Sequence, residues 1–124
     1  LDQLTKLYTL CLAPQPTIEW LNAFSSRMNV MIAAGARAEE LVDALALYIA
    51  QGYLHHPDQF AENDRAINNL AAYAIQNNIL PALFWAIYLA FDVGEIGSGQ
   101  DGMSSAEIHT RPALRRIVDS LKNQ

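Results

Sequence analysis

Residues 94–102 hold four of the six glycines of this 124-residue chain, Gly94, Gly97, Gly99 and Gly102. Bare backbone amides in such a segment can cradle a phosphate. A P-loop, however, needs Gly-x4-Gly-Lys-Ser/Thr, and the segment has no lysine; a dinucleotide fingerprint follows a strand, whereas this segment follows a helical pattern. Gly97-x-Gly99-x-Asp101 matches part of a calcium-binding nonapeptide, but only one copy exists and that fold binds metal between stacked repeats. An EF-hand counted from Asp92 puts Gly94, Ile96 and Met103 at the third, fifth and twelfth positions, where ligands are required. The segment therefore reads as an irregular loop that a partner can contact.

His55 and His56 are adjacent, so on a helix their side chains diverge by about 100°. With no cysteine pair, and His109 distant in sequence, they do not form a zinc motif. Cys11 is the only cysteine, which excludes an internal disulfide. It falls on the apolar face of a helical pattern, where a free thiol behaves as a small hydrophobe rather than a nucleophile. Glu39 and Glu40 open a helix, where carboxylates complement the positive end of the dipole. No catalytic, cofactor-binding or metal-ligating residues are expected.

The elements that position these residues are helical. Period-2 alternation is absent and 3–4 spacing recurs throughout. A first helix spans about 2–12, with Leu4, Leu7, Tyr8 and Cys11 on one face, and Pro14 and Pro16 follow it. Thr17 is the expected N-cap of a second helix, and Gly35 its stop. A third runs from about Arg37 to Gln51 and ends at Gly52, leaving His55 to Asp58 as a loop. A fourth begins near Asn63 or Asp64 and ends at Gln76, with Asn77 and Asn78 as left-handed terminators.

Ile79 to Phe91, ILPALFWAIYLAF, carries no charge at thirteen consecutive positions. That is short of the ~20 residues needed to span a bilayer. Apolar on all sides, it is expected to be buried on all sides. On this reading Trp20, Phe24, Phe84, Trp85, Tyr88 and Phe91 are core aromatics, and a charge at either Ala86 or Ile87 unfolds the domain. Ser104 and Glu107 have capping-box spacing. A last helix follows Thr110, with Pro112 in its first turn and Leu114, Ile117, Val118 and Leu121 opposite Arg115, Arg116 and Lys122.

The expected fold is all-α: one domain over 1–124, a bundle of five to six helices around a central apolar helix at about 80–92. The second topology is a repeat-like superhelix of helix pairs. Its basis is an echo between Ala46-x-Tyr48-x-x-Gln51-Gly52 and Ala71-x-Tyr73-x-x-Gln76-Asn77.

Charge then bears on function. The net charge is −5, yet residues 1–110 hold twelve acids against four Lys/Arg, and Arg111, Arg115, Arg116 and Lys122 face Asp119 alone in the remainder. An acidic body disfavours nucleic acid and makes a basic protein the easier partner. The expected function is a non-enzymatic, acidic helical protein-binding module of the immunity, inhibitor, chaperone or adaptor kind, without a cofactor. Its expected contact residues are Asp58, Glu62, Asp64, Asp92, Glu95 and Asp101. Two alternatives remain. One is a small-molecule binder or enzyme with an inter-helical pocket near Trp85, Tyr88 or the histidines. The other is nucleic-acid binding through the basic last helix. No signal peptide is apparent, and a cytoplasmic location is the default.

Overall fold

The computed structural model describes residues 2–95 and 104–123 and contains six α-helices, with no strand among them. In chain order they are α1 (Asp2–Cys11), α2 (Ile18–Ala33), α3 (Ala38–His55), α4 (Phe60–Gln76), α5 (Ala82–Gly94) and α6 (Arg111–Lys122). A 3-10 turn at Pro57–Gln59 joins α3 to α4, and a π turn at Ala106–Thr110 leads into α6. The fold is the expected all-helical bundle. The helices stack from α2, through α1 and α4, to α3 and α5, with α6 closing the far side.

The sequence explains most boundaries. The Thr17 hydroxyl accepts from Trp20 N at 3.1 Å, capping α2. Gly35 (φ 110°) and Asn78 (φ 55°) adopt the left-handed conformation just beyond α2 and α4. Ser104 and Glu107 form the capping box: Glu107 N donates to Ser104 Oγ at 3.2 Å, and that hydroxyl donates to Glu107 Oε1 at 3.3 Å.

Two boundaries differ. α3 continues through Gly52 to His55, because Gly52 is a packing residue rather than a stop. A Cβ there would lie 3.3 Å from Asn63 Oδ1, so the bare position lets the buried Asn63 of α4 approach. α4 starts at Phe60, three residues before Asn63, because the 3-10 turn hands the chain directly into it. The echo around Tyr48 and Tyr73 is not a structural repeat. Gly52 lies inside α3 whereas Asn77 follows the end of α4, and Tyr48 pairs with Tyr8 whereas Tyr73 packs edge-on to Phe24.

The core is continuous. Leu7, Phe24, Met28, Leu45, Ile49, Tyr53, Ile67, Leu70, Phe84, Ile87, Phe91 and Leu114 are fully buried. Burying each such side chain contributes about 1.5–3 kcal/mol. Buried alanines at 46, 50, 66, 71, 74 and 90 let helix axes approach closely.

Side chains from neighbouring helices satisfy helix ends that have no local cap. Trp20 Nε1 donates to Leu10 O at 2.6 Å, and Asn69 Nδ2 donates to Cys11 O and Ala13 O, both at 2.8 Å. Asp43 of α3 accepts from Phe84 N at 2.8 Å and so holds the first turn of α5. Gly94 is bare for a reason of its own: the Thr110 side chain occupies the place a Cβ would take, and its hydroxyl donates to Ala90 O at 2.7 Å.

Candidate partner-binding surface

Helix α5 is not buried on all sides. Phe84, Ile87, Ala90, Phe91 and Gly94 face inward, but Trp85 is 39% exposed, Leu89 45% and Val93 46%. At about 100° per residue, positions 85, 86, 89 and 93 share the side opposite 84, 87 and 91. Among the described residues, the π turn, α3, α4 and α6 reach only part of the circumference, which leaves this strip open. Trp85 is thus not a core aromatic, and Ala86 is an exposed position. Absence of charge measures hydrophobicity and carries no direction. The signal available in sequence was the Trp85–Leu89–Val93 spacing of four, which marks a stripe of its own.

Beside the strip, α5 and α6 enclose a groove of about 580 Å³. Leu83, Leu89, Val93, Ile117 and Leu121 form its apolar walls, and Arg116 is the only charged residue among the described ones that line it. The strip and groove together make one apolar surface of the kind that marks interaction sites on soluble domains.

The opposite edge of the strip is acidic. Of the six carboxylates expected at a partner surface, Asp64, Asp92 and Glu95 come together where α4 packs on the C-terminal end of α5. Asn68 Nδ2 ties α4 to the end of α5, donating to the Asp64 backbone carbonyl at 2.9 Å and to Glu95 Oε2 at 3.2 Å. Burial raises the Asp64 carboxyl to about 8, helped by its hydrogen bond to Glu95 and the charges of Glu95 and Asp92. Burial beside Glu95 and Asp92 thus favours the protonated form of the Asp64 carboxyl. Its other oxygen, Oδ1, is buried without a partner. The Tyr88 hydroxyl is also raised, first by burial and then by Asp92, Glu95 and Asp64.

Of the other three expected residues, the two that are described do not join this cluster. Glu62 lies on α4 near Tyr8, whose hydroxyl it helps to raise after burial and Tyr48. Asp58 is exposed on the 3-10 turn. Asp101 and most of the glycine-rich segment lie outside the described residues.

Cys11 is fully buried, and burial pushes its thiol well up, so the thiolate is suppressed. His55 ends α3 and is exposed, as is His56. No group of three or more His, Cys, Asp or Glu among the described residues is arranged to hold a metal ion. No helix among them is long and apolar enough to cross a membrane. A second hollow, of about 440 Å³, opens between α1, α3 and the 3-10 turn and is lined by Tyr8, Tyr48, both histidines and two glutamines. Comparison of the chain with known protein families, with curated proteins and with solved structures finds no match.

Proposed function

We propose that this protein is a non-enzymatic helical module that binds another protein, taking an amphipathic helix of its partner along α5. The observation that carries the reading is the exposed strip of Trp85, Leu89 and Val93 on the most apolar helix of the chain. A soluble domain leaves such a face open at a cost in solubility, and helix-in-groove binding is the recognition mode that uses one.

The rims define the occupant further. Asp92 and Glu95 border the strip on the α4 side, and Arg116 borders the groove on the α6 side. A partner helix with leucine-like residues three and four apart complements this arrangement, with Lys or Arg on one flank and an acid on the other. Immunity, inhibitor, chaperone and adaptor proteins all work by this kind of covering contact.

The test uses Leu89→Asp and Val93→Asp together, both at exposed positions that leave the core intact. Wild-type protein immobilised in extract of its source cells should retain a specific protein that the double variant loses, with circular dichroism and melting temperature unchanged. The Trp85 emission should shift to the blue when the purified partner is added, since a docked helix removes water from the indole. Retention of the same proteins by both forms sinks the reading. So does a wild-type dimer in light scattering that the variant abolishes, because the face would then be self-complementary.

A further inference from the structure

Two hollows flank the C-terminal half of α3, on the side of the molecule served by α1 and α6, and share one wall. The larger, about 440 Å³, has the Tyr8 and Tyr48 rings on one side, with centroids 5.2 Å apart and planes inclined at 52°. Gln51, His55, His56 and Gln59 supply its polar groups. The smaller, about 160 Å³, lies between α3 and α6 and is lined by Arg115, Asp119 and Lys122. Gln51 and His55 line both. These two are one helical turn apart, about 6 Å along the axis, so the hollows meet across a single ridge.

The larger hollow is held in shape from below. Asn63 is fully buried; its Oδ1 accepts from Tyr8 Oη at 2.9 Å, and its Nδ2 donates to Gln59 O at 2.9 Å. One buried amide thus fixes an aromatic wall and the backbone of the 3-10 turn together. Gly52 lines the same hollow and leaves room for that amide. A site needs such preorganisation, since little ordering entropy is then lost on binding.

The two halves call for different chemistry. Tyrosine faces stack on planar rings, and glutamine side chains each offer a donor and an acceptor to a ring edge. That combination suits a heteroaromatic base better than a hydrocarbon ring. The smaller hollow carries two cations against one acid and has room for a single compact anion. Arginine and lysine are the usual phosphate partners.

We propose that the joined hollows form one binding site for a nucleoside monophosphate. The base lies against Tyr8 and Tyr48, its edge meets Gln51 and Gln59, and the phosphate reaches Arg115 and Lys122 across His55. The site is separate from the α5 strip, so each reading can fail alone.

Calorimetric titration of the full chain with AMP, GMP, CMP and UMP tests it, with the matching nucleosides and inorganic phosphate as single-part probes. At least one monophosphate should bind tenfold or more tightly than its nucleoside and than phosphate. Arg115→Ala, at an exposed position, should reduce that monophosphate to the affinity of its nucleoside. Tyr48→Leu should weaken nucleoside and monophosphate alike by tenfold or more. Gln59→Ala, also at an exposed position, gives a second reading of the base half should Tyr48→Leu melt early. Leu89→Asp should bind as wild type. Failure of all four monophosphates to bind at millimolar concentration overturns the proposal. Equal binding of phosphate alone, or binding untouched by Arg115→Ala or by both base-half variants, overturns it as well.

Discussion

At the scale of single residues, Asp64 is the side chain whose behaviour departs furthest from its sequence context. A carboxylate beside a helix start reads as solvated surface, yet packing α4 on α5 buries it between Glu95 and Asp92. Its carboxyl is raised from 3.8 to about 8, so the folded state holds a proton that the unfolded chain releases. The sign follows from linkage. This stabilisation is complete below pH 3.8 and is lost progressively as pH rises towards about 8, above which both states are ionised. Asp64→Asn keeps a donor for Glu95 and removes the titration. The variant should match wild type near pH 4, gain on it steadily to about pH 8, and hold a constant lead beyond. Thermal melts across that range check this, and a variant that melts below wild type at pH 8 contradicts it. None of this was legible in sequence, because the cause is a contact between residues on two helices.

At the scale of elements, α5 shows what hydrophobic content can and cannot say. Its helicity, its entry through Pro81 and its packing in the core follow from the residues. Which side stays open depends on how many neighbours arrive. Ala86 and Ile87 are adjacent, and the charge-free run gives no reason to treat them differently. The structure separates them: Ile87 is fully buried and Ala86 is exposed at the groove. Ile87→Asp should therefore cost about 4 kcal/mol or more, by burying an unpaired charge. Ala86→Asp should change stability by about 0.5 kcal/mol or less. Urea titration of the two variants makes the comparison, and similar losses in both would mean that α5 is enclosed after all. The ends of elements followed a similar division. Thr17, Gly35, Asn78 and the Ser104–Glu107 box act locally and were readable. Asp43 on the first turn of α5 acts over 41 residues and was not.

At the scale of the whole molecule, the charge distribution matters more than its sum. A net charge of −5 makes the approach of a basic protein electrostatically easier than that of an acidic one. The fold sets where this bias is expressed, because Asp92 and Glu95 lie at the edge of the apolar strip. For a partner that docks on α5, Asp92→Asn with Glu95→Gln, which changes the net charge by as much as one reversal, should slow association about threefold or more at low salt. Glu19→Lys, on α2, should leave the rate nearly unchanged. Added salt should shrink the difference, since the Debye length falls to about 8 Å at 0.15 M. Stopped-flow measurement with the purified partner decides it, and equal slowing by both changes would show that only net charge matters. The six acids proposed from sequence were chosen as two segments, 58–64 and 92–101. Among the described residues, α4 and α5 bring Asp64, Asp92 and Glu95 together, because the end of one segment packs against the start of the other. Sequence proximity groups Asp58 and Glu62 with Asp64, but α4 turns Glu62 to another face and Asp58 stays behind on the 3-10 turn.

The Asn69 amide that closes the end of α1 has a kinetic consequence. It bridges to Cys11 and Ala13 across 58 and 56 residues, whereas α3 packs on α4, the next helix in the chain, and both pack on α5, the one after it. Contacts between neighbours form at a smaller loss of chain entropy than contacts across half the chain. The central hairpins can therefore assemble while α1 is still searching, and the carbonyls at its end keep their water until α4 offers the amide. Docking of α1 is then the expected late step in folding, so Asn69→Ala should speed unfolding and leave the refolding rate nearly unchanged. Release of α1 exposes Leu7 and Cys11 together with that amide, so the first helix leaves as a unit instead of fraying residue by residue.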